Sequence, residues 1–254
     1  MFSAPSAYAA DVTISSSDTT HSGGVNGTTE TGNKDGNNVT IGESGATGPT
    51  INGDVVGGDA DSGDATNNTV TINSIGLGSG KVIYGGKSAA GAATGNTVTI
   101  AGGTLNSNNK IIGGEGTASS TSNGNIVNLG DVNGNFSANL NRAEIWGTSY
   151  GGQVQANNSD KIKGNTLNVN ASGIRLEKVR NFEKINFNLT PTVTAGSTML
   201  TMDTGNFGLG YGKAFDWKNF SLTGKENDTD KAKYGRIGNI NPLRAYSGTD
   251  MKIG

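Results

Sequence analysis

Asn96-Thr97-Val98-Thr99-Ile100 is the stretch that decides the fold, because it keeps returning. It stands again at Asn68-Thr69-Val70-Thr71-Ile72 and at Asn37-Asn38-Val39-Thr40-Ile41. Looser copies are Asn125-Ile126-Val127-Asn128-Leu129 and Asn165-Thr166-Leu167-Asn168-Val169, and a truncated one is Val12-Thr13-Ile14. A phrase repeated at near-constant spacing marks one structural unit stacked on itself. A second phrase runs out of phase with it: Val55-Val56-Gly57-Gly58, Ile83-Tyr84-Gly85-Gly86, Ile111-Ile112-Gly113-Gly114 and Ile145-Trp146-Gly147. From Gly57 to Gly85, and again from Gly85 to Gly113, the step is 28 residues. A third apolar position, at Leu77, Leu105 and Ile174, follows the first phrase by five residues. The last step of the first phrase, from Leu129 to Val169, is 40 residues and predicts an insertion within 130–164.

Within each copy Val and Ile alternate with Thr, so one strand face is apolar and the other polar. Glycine and asparagine around both phrases supply turn chemistry, and no apolar period of 3.6 residues survives between 11 and 170. A unit of about 28 residues with three short strands fits one coil of a right-handed parallel β-helix. The chain is accordingly predicted to be all-β, a β-solenoid of about six coils with a C-terminal cap. Stacking places Val39, Val70, Val98, Val127 and Leu167 in one internal column, and Ile41, Ile72, Ile100, Leu129 and Val169 in the next. Asn37, Asn68, Asn96, Asn125 and Asn165 share that parity, which predicts a structural asparagine ladder whose amides bond from coil to coil. The rival fold, a β-sandwich, calls for antiparallel hairpins and no identical phrase every 28 residues.

Composition agrees with a thin core. Of 254 residues 42 are glycine, and only 32% are hydrophobic and 6% aromatic, too few large side chains to fill a compact sphere. Disorder is the competing reading of so much Gly, Ser, Asn and Thr, and the periodic Val/Ile pairs argue against it from 11 to about 190. The net charge of −2, with no dense basic patch, argues against nucleic acid as a partner. The absence of cysteine removes disulfides and thiolate sites. Residues 1–10 end in Ala7-Tyr8-Ala9, a small-x-small cleavage pattern. They read as a signal-peptide remnant, and otherwise as an Ala-rich leader.

Residues 11–173 are assigned to the repeats and 174–254 to the cap and a C-terminal extension. Phe182, Ile185, Phe187 and Leu189 are expected to plug the open end of the stack, which a solenoid needs. Phe207, Tyr211, Phe215, Trp217 and Phe220 suggest a further ordered piece, and 225–233 a solvated loop.

The two repeated phrases, followed by Asn181-Phe182-Glu183-Lys184-Ile185-Asn186-Phe187, resemble the passenger regions of Gram-negative autotransporters (type V secretion) over roughly 11–220. The resemblance implies export, an extracellular β-helical passenger, and an outer-membrane translocator barrel. The chain departs from the pattern after 220, where no alternating strands of a barrel follow.

Candidate chemistry is sparse. His21, the only histidine, sits in a Thr-Thr-His-Ser loop that reads as solvated, and Asp61-Ser62-Gly63-Asp64 lacks the order of a protease nucleophile. Asp59, Asp61 and Asp64 are the densest acidic group; they read as a solvated turn, with a Ca²⁺ site as the alternative and no other cofactor implied. Tyr84 and Trp146 occupy equivalent positions, with Val56 and Ile112 in the same column. They form a ligand-binding strip, with Tyr150 nearby, if that face is external, and core if it is internal. The expected function is a non-catalytic, cell-surface adhesin or adhesin fragment that binds a host or bacterial surface protein or glycan. A β-helical polysaccharide lyase or hydrolase is the alternative. An ice-binding solenoid, suggested by the Thr69/Thr71 and Thr97/Thr99 ranks, is a lesser one.

Overall fold

A computed structural model of the chain describes residues 10–27, 32–117, 122–151, 162–194 and 197–202, with backbone alone for 207–208, 220–224 and 249–252. The predicted leader at 1–9, the side chains from Phe207 to Phe220 and the loop 225–233 lie outside the described residues. Every regular element described is a β-strand.

The first phrase builds one sheet of eight parallel strands: Asp11–Ile14, Asn38–Ile41, Thr69–Ile72, Thr97–Ile100, Ile126–Leu129, Thr166–Val169, Lys184–Leu189 and Phe220–Gly224. Each strand pairs with the next copy of itself without a register slip, so Val12, Val39, Val70, Val98, Val127 and Leu167 fall in one column. The Ile41, Ile72, Ile100, Leu129 and Val169 column runs beside it, and both columns are buried from Val39 onward. A one-residue slip would turn these side chains to water and the threonines inward, so burial fixes the register.

The second phrase builds a second parallel sheet through Val25–Asn26, Val55–Val56, Val82–Ser88, Lys110–Gly116, Glu144–Tyr150, Lys178–Arg180 and Phe207–Gly208. Val25, Val55, Ile83, Ile111, Ile145 and Val179 face the same core as the first sheet. Short parallel pairs complete the repeat. One set is Thr20–His21, Thr50–Ile51 and Gly76–Leu77, and another is Lys34–Asp35, Ala65–Thr66 and Ala93–Thr94. The Ala-Thr set, just before each asparagine phrase, is a strand position that the spacing of large apolar residues does not reveal.

The column of Leu77 continues through Leu105 to Leu140, joined by bridges from Gly76 to Thr104 and from Thr104 to Asn139. Leu140 escapes the five-residue rule because extra residues precede it. Ile174 instead opens a strand, Ile174–Leu176, that pairs with Thr198–Met202.

The two phrases are out of phase in sequence but meet in space. Asn37, Asn68, Asn96, Asn125 and Asn165 are all buried, 0–1% exposed. The Oδ1 of Asn96 accepts from both the backbone N–H (3.0 Å) and the Nδ2 (2.9 Å) of Asn68, and Asn37 does the same to Asn68. Asn96 in turn donates to Asn125 Oδ1 and to the Ala65 carbonyl. Toward Asn165 only the backbone N–H of Asn125 reaches the carboxamide, at 2.9 Å, while its Nδ2 turns to the Ala93 carbonyl. The glycine pair of the second phrase lies against this ladder. A Cβ at Gly86 would stand 2.6 Å from Asn96 Oδ1, so a side chain there displaces the amide that ties successive repeats together.

The segment 182–189 is not an end plug. Phe182, Ile185, Phe187 and Leu189 are buried, but Lys184–Leu189 pairs in parallel with Thr166–Val169 on one edge and with Phe220–Gly224 on the other. It is one more rung, built with larger side chains. The one antiparallel pairing among the described strands is Thr198–Met202 with Thr249–Lys252, and it carries a register shift between Thr198 and Leu200.

Candidate ligand-binding surfaces

Along Val82–Ser88, Ile83 turns to the core and Tyr84 to the opposite face. Asn26, Val56, Tyr84, Ile112, Trp146 and Arg180 are in register on that face. The structure therefore brings Tyr84 and Trp146 into one apolar column with Val56 and Ile112, separate from the main core. The column is nonetheless closed over, with Tyr84 7% and Trp146 4% exposed. The Lys87 ammonium lies 5.3 Å from the Tyr84 ring centre, and Lys110 and Arg180 lie 4.9 and 5.7 Å from that of Trp146. Burial, reinforced by Glu115, Asp54 and Asp59, pushes the Tyr84 phenol well above its ordinary value.

Two ladders of alternating charge flank this column. Lys110, Glu144 and Lys178 follow one another on one side, and Asp59, Lys87 and Glu115 on the other. The Lys178 ammonium donates to Glu144 at 2.8 Å and contacts Glu177 at 3.0 Å, and the Trp146 Nε1 also donates to Glu144. Burial raises the Glu144 carboxyl, but the hydrogen bonds from Lys178 and Trp146 outweigh it and hold the group below the usual carboxylate value. Hydrogen bonds to Glu144 and Glu177 hold Lys178 above its own. Acid and base here neutralise each other in the folded state and neither is poised to transfer a proton near neutrality.

Tyr150 is elsewhere. Its ring is buried at 1% exposure, its hydroxyl donating to the Ser122 carbonyl and accepting from the Ser122 N–H. It is a packed side chain and not part of the strip. The three aspartates also fail to converge. Asp59 pairs in register with Lys87, and burial holds its carboxyl up against the Lys87 charge. Asp64 Oδ1 accepts the Ala92 N–H, while Asp61 is exposed. Among the described residues no three His, Asp or Glu side chains gather as a metal site. His21 is in register with Ile51, and its carbonyl accepts the Asn52 N–H.

The open site lies on the outer face of the first sheet. There Thr71, Thr99, Asn128, Asn168 and Asn186 form a column. Its amides bond upward: Asn128 Nδ2 donates to Thr99 Oγ1 at 3.0 Å, Asn168 to Asn128 Oδ1 at 2.8 Å, and Asn186 to Asn168 Oδ1 at 2.8 Å. A second pair, Asn188 to Asn170 Oδ1 at 2.6 Å, runs beside it. Residues 130–132 of the loop 130–135 and residues 189–191 border an open cavity of about 420 Å³ over Thr99, Asn128, Asn168, Asn170 and Asn188.

The loop is held by its own carboxylate. Asp131 Oδ1 accepts the N–H groups of Asn133 and Asn135, and Oδ2 accepts the Asn135 amide. Burial works against these bonds, yet they hold the Asp131 carboxyl below its ordinary value. Gly134, at φ +82°, docks the loop onto Thr190 and Thr192, and its carbonyl accepts from Thr192 Oγ1 at 2.8 Å. Val132, 85% exposed, stands at the rim.

The predicted insertion points to this region, but the outer Asn column was hidden. Asn128 and Asn168 read in sequence as failures of a threonine rank, and become a feature only once the rungs are stacked. No protein-family model, curated protein or solved structure matches this chain.

Proposed function

We propose that the chain is a right-handed parallel β-helix that serves as the extracellular passenger of an autotransporter and acts as a non-catalytic adhesin. The in-register parallel pairing of sequence repeats 27 to 31 residues apart supports the helix, and parallel crossovers in proteins are right-handed almost without exception. The observation that carries the binding role is the open, amide-floored cavity on an otherwise regular outer face. Solenoids present ligand surfaces along such faces, and the loops that interrupt the repeat decide what binds. The partner is a protein or glycan on a host or neighbouring bacterial cell. Export and display through an outer-membrane barrel belong to the same reading.

The test is adhesion of the purified, fluorescently labelled chain to epithelial cells and to Gram-negative cells. Saturable binding to one of them is the expected result, and no binding to any surface overturns the adhesin reading. For the secretion class, the reading frame beyond Gly254 is expected to encode alternating strands of about ten residues, as a membrane barrel requires. A frame with no such strands removes that part of the proposal.

A further inference from the structure

We infer that the cavity over the outer asparagine column binds a neutral saccharide chain. The inference rests on the binding role proposed above and names its ligand class and site. The floor is made of carboxamides: Asn128, Asn168, Asn170 and Asn188 all line the cavity. A carboxamide carries two N–H donors and an oxygen with two lone pairs. In the ladder, Asn168 uses one donor toward Asn128 and one acceptor position toward Asn186, and Asn128 likewise bonds Thr99 and Asn168. The second N–H of the Asn128 and Asn168 amides remains for a ligand. Donor and acceptor on one planar group match the paired hydroxyls of a sugar ring, which offer the same two functions side by side.

The spacing fits as well. Rungs of a parallel sheet recur at roughly 4.8 Å, close to the advance of one pyranose unit along an extended glycan. The second column ties the floor to the loop: Asn188 donates to Asn170 Oδ1, and Asn170 Nδ2 donates to the Gly130 carbonyl at 2.9 Å. Val132 and Pro191 at the rim supply small apolar surfaces against which the C–H faces of the rings can lie. The volume of about 420 Å³ falls within the range of small-ligand sites, about 300–1,000 Å³.

Charge sets the class. Among the described residues Asp131 is the one ionisable group in the lining, and its hydrogen bonds favour the carboxylate. Among them no lysine or arginine lines the cavity, so an anionic sugar meets a carboxylate with no cation to offset it. A neutral glycan has nothing to lose there.

The experiment measures binding of the full chain to an array of neutral and anionic oligosaccharides, with titration calorimetry on the best ligand. Two variants accompany it. Asn168→Ala removes the central amide. Val132→Trp fills the mouth from an exposed loop position and leaves the ladder untouched, so it tests the site even if Asn168→Ala does not fold. The expected result is binding to neutral and not to anionic glycans, weakened at least tenfold by each variant that retains the wild-type circular dichroism spectrum. Binding that Val132→Trp leaves unchanged overturns the site, and selective binding of anionic glycans overturns the class. Cell adhesion without any glycan binding overturns the inference and leaves the adhesin reading standing, whereas loss of both removes the two together.

Discussion

The molecule contains two stacks of asparagine that face opposite ways. The inner one, from Asn37 to Asn165, is buried to 0–1% exposure and spends its hydrogen bonds on joining successive repeats. The outer one, Asn128, Asn168 and Asn186, is partly exposed, and Asn128 and Asn168 each use one donor toward a neighbour. Residue type and stacking distance are the same, and what differs is the access of water. Burial turns an amide stack into a folding device, because an unmet bond inside costs free energy that water would otherwise supply. Exposure leaves Asn128 and Asn168 with spare hydrogen-bonding capacity, which a ligand can use.

The difference can be broken from the inside first. Asn96→Ala leaves the backbone N–H of Asn68 and one of its two Nδ2 hydrogens without an acceptor in the interior, and it is expected to lower unfolding free energy by about 2–4 kcal/mol in chemical denaturation. Loss of less than about 0.5 kcal/mol would mean that water replaces the ladder at little cost. Gly86→Ala attacks the same amide from the neighbouring sheet, and a cost of about 1–3 kcal/mol is expected from the collision with Asn96 Oδ1. Gly23→Ala, where a Cβ meets nothing within 4 Å, is its control and should change stability by no more than about 0.5 kcal/mol.

On the outer stack the expectation reverses. Asn168→Ala should cost less than about 1 kcal/mol, because water can satisfy the partners it leaves. Equal losses for Asn96→Ala and Asn168→Ala would erase the distinction.

The smallest effect belongs to the charges over the aromatic column. Glu144 is held below 4.5, so its contribution is present above that value and is lost as pH falls through the lower folded value. Lys178 is held above 10.5, so its contribution is present below that value and is lost as pH rises through the higher folded one. Between those limits stability should be flat with respect to this pair. Glu144→Gln should flatten the acid limb of a thermal-melt pH series by the equivalent of less than about 1 kcal/mol. An unchanged acid limb would show that the pair is spectator to folding.

Much of the framework was legible in the chain. The parity of Asn, Val and Ile in Asn96-Thr97-Val98-Thr99-Ile100 gave the inward face, the rung register and the ladder residues, because alternation and burial are local rules. The glycine pair was legible as punctuation but not as a partner of the ladder, since that contact joins residues from different sheets. Phe182 to Leu189 looked like a plug because large apolar residues closed the repeat, yet both edges of that strand are paired. Tyr150 looked like a neighbour of Trp146, four positions further along the chain, yet its ring is buried and its hydroxyl bonded to Ser122 instead.

The sequence by itself determined the period, the strand faces and the asparagine ladder, all of which follow from side chains repeating along one chain. Only the tertiary structure decided which polar positions share an open surface. Asn128 and Asn168 are 40 residues apart, Asp131 and Pro191 sixty, and it is stacking at one rung per repeat that sets them around a single cavity. Short-range pattern governs what each residue does to its own strand, while a site is made by neighbours from successive repeats that only parallel pairing brings side by side.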